Sequence, residues 1–195
     1  MKIRMMFKEN ITDKELIKLP LKWFKGDIYV IDRVDDVADV AEFLSMQQVI
    51  GFDTETRPSF KKGVVNKVAL LQLSTLKEAF LIRINKIGLP KSLQKILTNP
   101  GIIKPGVAIR DDLKGLQEFA QFNPNGFVEL QDYAKELGIH DFSLKKMTAI
   151  VMGFRISKSQ QLSNWEADTL SEAQKKYAAT DAWAALQIYQ HLPDY

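Results

Sequence analysis

Two carboxylates stand two residues apart at the end of an otherwise apolar run. Asp53 and Glu55 follow Val49-Ile-Gly-Phe, which has the composition of a β-strand. Residues two apart on a strand point to the same face of the sheet. Two carboxylates on one face repel each other, and burial raises their pKa values unless a cation joins them. The pair predicts either a cation site or two solvated acids at an exposed strand end, and by itself it favours the second.

Two further aspartates, Asp111 and Asp112, follow the predicted strand Ile102–Ile109 and open a helix with an apolar stripe. The period of 3.6 residues puts Asp112 at the edge of that stripe and Asp111 on the opposite side. This pattern favours Asp112 as the residue that points toward the sheet and Asp111 as the N-cap. Simple capping of the helix by both aspartates is the alternative.

Tyr177 and Asp181 share one face of a helix predicted from Glu172 to His191. Their i, i+4 spacing stacks the two side chains on the stripe that packs against the rest of the protein. An aspartate is a poor choice for such a stripe unless something compensates its charge. A catalytic pair and an ordinary buried hydrogen bond are the two interpretations.

Three separate segments thus bring acids to faces that the alternation of elements places near one another. The chain has no cysteine, which excludes disulfides, cysteine-ligated zinc and iron–sulfur sites. Oxygen ligands without cysteine or a histidine pair favour Mg²⁺ or Mn²⁺. Two such ions, about 3.5–4 Å apart, can clamp the attacking and leaving oxygens of a phosphodiester. Together the acids predict an oxygen-only site for two divalent cations.

The elements that must position these acids follow the pattern of a layered α/β fold. A short connection between the third and fourth predicted strands indicates an antiparallel hairpin. A hairpin sheet followed by alternating strand and helix predicts a mixed β-sheet flanked by α-helices. The predicted strands are 27–32, 49–55, 68–74, 79–84 and 102–109, and the predicted helices are 34–46, 91–97, 112–120 and 172–191.

The 195 residues are predicted to form one domain at residues 26–195, preceded by an N-terminal extension at residues 1–25. In the extension, Thr12 and Glu15 have the form of a capping box, and Pro20 is expected to end the helix. The absence of a signal peptide or a long apolar stretch predicts a soluble cytoplasmic protein without membrane contact. The net charge of +3 permits polyanion binding without requiring it.

The motifs resemble those of the DEDD 3′-5′ exonucleases of the ribonuclease-H-like superfamily, in the subgroup whose third motif carries a tyrosine. The similarity runs from about Val49 to Leu192, and it supports Asp112 over Asp111 as the acid of the second motif. The ribonuclease D and Werner-syndrome exonuclease branches are the most similar. Three segments of the chain resemble the three family motifs, in order Gly51-Phe-Asp-Thr-Glu, Gly106-Val-Ala-Ile-Arg-Asp-Asp and Tyr177-Ala-Ala-Thr-Asp. A fourth segment, Lys67-Val-Ala-Leu-Leu-Gln-Leu-Ser, is similar to the strand that follows the first motif.

This resemblance implies a ribonuclease-H-like fold and an enzyme that releases nucleoside monophosphates from the 3′ end of DNA or RNA by a two-metal-ion mechanism. It implies that Asp53, Glu55 and Asp181 bind one ion and that Asp53 also reaches the second. Asp112 would act through ordered water, and Tyr177 would hold the attacking water. Because a phenol has a reference pKa of about 10, a role in orientation is easier to defend than a phenolate base.

A cationic loop with an aromatic residue follows the first acidic strand. Arg57, Phe60, Lys61 and Lys62 are predicted to contact the terminal nucleotide, where the cations would add sequence-independent affinity. A solvated loop without a substrate role is the alternative.

The resemblance alone suggests a second substrate-binding group, Asn164 and Trp165, next to a rim at residues 155–163. From composition, all three tryptophans, Trp165 included, are otherwise expected to be packing residues. Lys145 and Lys146 are expected to form a solvated helix face.

Two other classes of function stay open at this stage. One is a nucleic-acid-binding module that keeps the fold without turnover, and the other is a hydrolase of small nucleotides or short oligonucleotides. The intact acids argue against the first, because a site that binds no cation has no physical need to keep like charges together. A nuclease assay with and without chelator separates an exonuclease from a binding module. Comparing rates on a dinucleotide and on a long strand separates an exonuclease from a hydrolase of small nucleotides or short oligonucleotides.

Overall fold

Four strands form a mixed sheet at the centre of the computed structural model, which describes residues 7–61, 63 and 66–193. In chain order they are β1 (Asp27–Ile31), β2 (Gly51–Thr56), β3 (Val68–Ser74) and β4 (Glu78–Ile82). Their spatial order is β1-β4-β3-β2, in which β1 runs parallel to β4 and β3 runs antiparallel to both of its neighbours. The predicted hairpin of β3 and β4 is therefore confirmed.

Two short parallel strands, β5 (Lys104–Gly106) and β6 (Phe127–Glu129), continue the sheet beyond β2. A parallel bridge between Val49 and Ile103 joins them to the start of β2. The predicted strand 102–109 is wrong at its C-terminal end. Ala108 adopts a left-handed backbone conformation with φ of 59°, which ends the extended run and starts a helix at the next residue.

Helices cover both faces of this sheet. Helices α2, α4 and α5 lie over the largest cluster of buried apolar residues, and α8 covers the opposite face. The predicted mixed sheet with flanking helices is confirmed. None of the helices in the described ranges has the length and apolar composition needed to cross a membrane. The helices are α1 (Asp13–Leu16), α2 (Val37–Ser45), α3 (Ile84–Ile87), α4 (Lys91–Thr98), α5 (Ile109–Gln117), α6 (Leu130–Glu136), α7 (Leu144–Met152) and α8 (Glu172–His191), with one 3₁₀ turn at Val34–Asp36.

Helix α8 crosses β2 at very short range. Ser171 and Gln174 form a capping box at its start, so both bounds of the predicted helix are confirmed. A Cβ built on Gly51 of β2 would lie 1.9 Å from the carbonyl oxygen of Ala182. Only a glycine leaves room for this approach, and the small alanine side chains on α8 allow the helix to lie close to the strand. The crossing brings Tyr177 and Asp181 of α8 close to β2.

The N-terminal segment packs against the domain. The predicted capping box of Thr12 and Glu15 is confirmed, but α1 ends at Leu16, so the prediction that Pro20 ends it is wrong. Phe24 is buried, and its backbone N–H donates to Oγ1 of Thr180 on α8 at 3.0 Å. The last residues of the predicted extension therefore contribute to the core.

Candidate active site

Asp53 and Glu55 open onto one cavity of about 280 Å³, which we call the acidic cavity. Both side chains come from the face of β2 that α8 covers, as the strand period requires. Each is partly buried in the described structure. The sequence-predicted pair of acids therefore shares a single recess rather than a solvated strand end.

Helix α8 supplies the other wall of the acidic cavity with Tyr177 and Asp181. Their side chains are 8% and 6% exposed, respectively, so the aspartate is nearly removed from solvent. The i, i+4 spacing places the phenol next to the carboxylate, with which it interacts. The close crossing at Gly51 is what sets these groups against the acids of β2.

Asp112 reaches the site from a different direction. The hydroxyl of Thr54 donates to its Oδ1 at 2.5 Å, and that threonine points to the opposite face of β2 from Asp53 and Glu55. Asp112 is not one of the residues that line the acidic cavity. Its charge is nevertheless close enough to raise the pKa of both β2 acids.

Asp111 does not have the role predicted for it. It lies in the first turn of α5, is exposed and pairs with Lys114 at 3.0 Å, while the N-cap position belongs to Ala108. The prediction of an Asp111 N-cap is wrong because the helix starts three residues earlier than the apolar stripe suggested. The choice of Asp112 as the acid near β2 agrees with the geometry.

Glu129, which the sequence did not single out, positions α5. Its carboxylate accepts the backbone N–H groups of Ala108 at 3.0 Å and of Ile109 at 2.9 Å. A carboxylate at this place satisfies free N–H groups and complements the helix dipole. The contact spans about twenty residues of sequence, so no local pattern could have revealed it.

The acids of the site carry raised pKa values. Burial is the largest cause in each case, followed for the β2 acids by repulsion from Asp181 and Asp112. The pKa of Asp53 is well above its usual range and that of Glu55 is about 9. The pKa of Asp112 rises to about 6 and that of Asp181 to about 7. Without a bound cation, the fold therefore disfavours the ionised form of these carboxyls.

Tyr177 is held in its protonated form. Burial is the largest cause of its raised pKa, and the neighbouring carboxylates of Asp181 and Glu55 add to the effect. A phenolate there would be both desolvated and surrounded by anions. The hydroxyl is therefore able to donate and accept hydrogen bonds, and it does not act as a negatively charged base.

Two lysines face the same recess as the acids. Lys145 and Lys158 both line the acidic cavity, and the charge of Lys158 lowers the pKa of Asp181 in opposition to burial. The expectation that Lys145 lies on a solvated helix face is therefore wrong, whereas Lys146 pairs with Asp141 at 2.7 Å. The predicted rim at residues 155–163 does contribute to this lining.

The cationic loop after β2 lies outside the acidic cavity. Arg57 is exposed and pairs with Glu166 at 3.1 Å, and Phe60 is 86% exposed. Lys61 is also exposed, and Lys62 lies outside the described residues. The structure brings none of the first three side chains into the cavity lining.

Trp165 is a packing residue. Its side chain is 0% exposed, and its ring lies 6.0 Å from that of Tyr177, centroid to centroid. The indole has no surface to offer to a substrate, so direct contact of Trp165 with a bound strand disagrees with the structure. Asn164 is exposed, and its Oδ1 accepts the backbone N–H of Glu166 at 3.2 Å.

A cation is the natural complement of the acid cluster. No group of three or more acidic or histidine side chains in the described part of the chain is already arranged to hold an ion. The donor set itself fits a hard divalent cation, because it consists of carboxylates whose mutual repulsion only positive charge relieves.

Known proteins resemble the chain across most of its length. A family model described as 3′-5′ exonuclease matches residues 28–194. The chain is 35% identical over 184 residues to the bifunctional 3′-5′ exonuclease/ATP-dependent helicase WRN of Mus musculus, covering 89% of this chain and 13% of that protein. It is 31% identical over 173 residues to a 3′-5′ exonuclease of Arabidopsis thaliana, covering 86% of this chain and 58% of that protein.

The fold is similar to that of the exoribonuclease RNase D of Escherichia coli, with a TM-score of 0.77 and 26% identity. The alignment covers 85% of this chain and 44% of that one. The chain thus spans less than two thirds of the length of these relatives. By the matched model and by relatives more than 30% identical, the chain belongs to the 3′-5′ exonuclease family, in the DEDD group of the ribonuclease-H-like superfamily.

Proposed function

We propose that this chain is a metal-dependent 3′-5′ exonuclease that hydrolyses the terminal phosphodiester bond of a DNA or RNA strand and releases a nucleoside monophosphate. One observation carries the proposal, namely the convergence of acids from β2, α5 and α8 around Asp53. Family membership supports the class of reaction. We assign the catalytic roles to Asp53, Glu55, Asp112, Tyr177 and Asp181.

The acids are suited to hold two divalent cations, Mg²⁺ or Mn²⁺. Asp53, Glu55 and Asp181 would bind one ion, Asp53 would also reach the second, and Asp112 would act through water. When bound, the ions supply charge neutralisation at the phosphodiester and acidify the attacking water. The raised pKa values of the carboxyls support this assignment, because a site that disfavours ionised carboxylates favours a bound positive charge.

Tyr177 would orient the attacking water. Its raised pKa keeps the phenol protonated, so the hydroxyl acts through hydrogen bonds and not as a general base. Lys145 and Lys158 in the cavity lining would attract the phosphate backbone of the strand. In these assignments, bound ions would promote loss of a proton from the attacking water, and the side chains would position that water and the strand.

The residues that follow β2 remain proposed contacts for the strand. Arg57, Phe60, Lys61 and Lys62 directly follow the acidic strand, and the exposed Asn164 neighbours the partner of Arg57. Cations there would strengthen binding through phosphate contacts. We expect the double variant Lys61→Ala/Lys62→Ala to weaken the salt dependence of strand binding, and an unchanged dependence excludes the role.

A time course on end-labelled strands tests the proposed reaction. The wild-type chain should shorten 5′-labelled DNA or RNA stepwise from the 3′ end with Mg²⁺ or Mn²⁺, and EDTA should stop it. Asp53→Asn should lower the rate by about 10³-fold or more, the scale of losing a major electrostatic stabiliser. Asp111→Asn, which removes an exposed acid one residue from Asp112, is the matched control and should keep full activity.

Two outcomes would overturn the proposal. One is binding of strands without chelator-sensitive cleavage, which would indicate a binding module. The other is undiminished cleavage by a folded Asp53→Asn variant, with folding checked by circular dichroism and thermal unfolding. Comparable rates on a dinucleotide and a long strand would instead point to a hydrolase of short oligonucleotides.

A further inference from the structure

A second cavity adjoins the acidic cavity. It has a volume of about 430 Å³, and Tyr177 and Ser157 line both recesses. The N-terminal segment forms one side with Leu21, Lys22 and Trp23, and the first turns of α8 form another. We call it the tryptophan cavity. A strand whose end lies in the acidic cavity has this recess as an immediate neighbour.

Trp23 presents an indole surrounded by positive charge. Its side chain is 38% exposed, unlike the buried Trp165. The ammonium of Lys25 lies 5.2 Å from the ring centre and that of Lys176 lies 4.9 Å from it. Within residues 7–61, 63 and 66–193, neither these lysines nor Lys22 pairs with a carboxylate. The expectation that Trp23 is simply a packing residue is wrong.

The backbone around Trp23 is anchored on both sides. The N–H of Lys22 donates to the carbonyl oxygen of Arg155 at 2.9 Å, and the N–H of Phe24 donates to Oγ1 of Thr180 at 3.0 Å. Phe24 itself is buried against α8. The indole is therefore carried by a fixed segment, which lowers the entropy lost when a ligand stacks on it.

We propose that the tryptophan cavity binds the single strand on the 5′ side of the bond being cleaved, with a base stacked on Trp23. Phosphates would pair with Lys176 in the cavity lining and with Lys25, which lies over the Trp23 ring outside that lining. The inference rests on the proposed exonuclease function. Aromatic platforms flanked by cations are how proteins hold single strands without reading their sequence. Because Tyr177 and Ser157 line both recesses, the tryptophan cavity lies directly beside the acidic cavity.

The chemistry of the free site supports a ligand with both a flat ring and negative charge. Two ammonium groups gathered at one indole repel each other, and in the described part of the chain neither of them pairs with a carboxylate. A stacking base displaces an ammonium from the ring toward the adjacent phosphate. The exchange replaces a cation–π contact with an ion pair and covers the exposed indole at the same time.

Strand binding without hydrolysis tests the stacking contact. A 5′-labelled twelve-nucleotide strand is titrated with protein in EDTA, and binding is followed by fluorescence anisotropy. Trp23→Ala should weaken binding about tenfold, and Trp23→Phe should restore most of the affinity, because every aromatic face can stack a base. Tyr29→Ala removes an exposed aromatic side chain of β1 and is the matched control, with unchanged affinity expected.

The salt dependence of binding tests the lysines separately. Lys25→Ala/Lys176→Ala should reduce the slope of log affinity against log salt by about 0.7 for each lost phosphate contact. Lys91→Ala/Lys95→Ala changes two exposed lysines of α4, which lies on the other face of the sheet, and should leave the slope unchanged. The Lys25→Ala/Lys176→Ala variant, compared with this control, also keeps the inference testable if Trp23→Ala fails to fold.

Kinetics distinguish failure of this inference from failure of the proposed function. Trp23→Ala should raise KM about tenfold while kcat stays within about twofold, because stacking away from the reacting phosphate is uniform binding. Wild-type cleavage together with equal affinity and KM in Trp23→Ala overturns the tryptophan cavity and leaves the exonuclease proposal intact. Weakened binding in Trp23→Ala without cleavage by the wild-type protein supports the cavity and overturns the exonuclease.

Discussion

The carboxylates around Asp53 lower the stability of the metal-free fold. Burial and repulsion raise the pKa of Glu55 from 4.5 to about 9, and burial raises that of Asp181 from 3.8 to about 7. A carboxyl with a raised pKa in the folded state binds its proton more tightly there than in the unfolded chain. Its stabilising contribution is therefore present at low pH and is lost as the pH rises through the folded-state pKa.

We expect the melting temperature of the metal-free protein to fall from about pH 6 to about pH 9, the range in which Asp181 and Glu55 lose protons. Asp181→Asn should reduce that fall. Mn²⁺ should raise the melting temperature more at the upper pH, because the ion takes the place of protons that have left. Calorimetric scans with EDTA or Mn²⁺ at both pH values measure this, and an equal metal-induced rise at both contradicts it.

The hydroxyl of Tyr177 provides a second test at the scale of single atoms. Tyr177→Phe keeps the ring that packs on Trp165 and removes only the group proposed to orient water. We expect kcat to fall about 10²-fold with little change in KM or melting temperature, within the range of positioned proton-handling groups. Steady-state kinetics on a labelled strand measure this, and a kcat within about twofold of wild type would remove Tyr177 from the mechanism.

At the scale of elements, the crossing of α8 over β2 assembles the site. The approach at Gly51 leaves no space for a side chain, because a Cβ would lie 1.9 Å from the carbonyl oxygen of Ala182. Asp181 directly precedes Ala182 on α8, so any displacement of the helix moves a proposed metal ligand. The geometry of the acidic cavity thus depends on a contact that contains no acid.

Gly51→Ala should therefore disturb both stability and activity. We expect a loss of about 1–3 kcal/mol from overpacking, which corresponds to a drop of several degrees in melting temperature. Activity should fall at temperatures where the variant is still folded, because α8 is pushed away from β2. Gly101→Ala adds a Cβ that meets only the Asn99 side chain, at 3.2 Å, and is the control. Equal activities of the two variants contradict the role of the crossing.

At the scale of the whole molecule, the N-terminal segment and the domain form one packed unit. The segment docks on α8 and on residues around Arg155, and the same segment carries Trp23. Phe24 belongs to the apolar cluster beneath α8. Part of the core, and the strand contact proposed for Trp23, thus belong to a stretch that sequence reasoning had set outside the domain.

Shortening the chain tests this integration. A protein that begins at residue 26 lacks Phe24 and should lose about 3–5 kcal/mol, the usual cost of removing a buried phenylalanine. Its thermal unfolding should occur well below that of a protein that begins at residue 7 and keeps the rest of the segment. Equal melting temperatures for the proteins starting at residues 7 and 26 would show that the segment is a dispensable arm.

Local patterns in the sequence were sufficient for several features of the site. The Asp-x-Glu spacing placed Asp53 and Glu55 on one face of a strand, and the i, i+4 spacing placed Tyr177 beside Asp181. The bounds of α8 and the β3–β4 hairpin also followed from the sequence. These features depend on backbone periodicity and on capping within a few residues, which the sequence determines directly.

Only the tertiary structure decided how distant segments meet. It placed Asp112 against Thr54, buried Trp165 while leaving Trp23 open, and turned Lys145 and Lys158 toward the acids. The same residue types occur in both roles, so composition cannot tell a buried indole from an exposed one. Which side chain is covered depends on packing between elements far apart in the chain, and periodicity within one element carries no information about that packing.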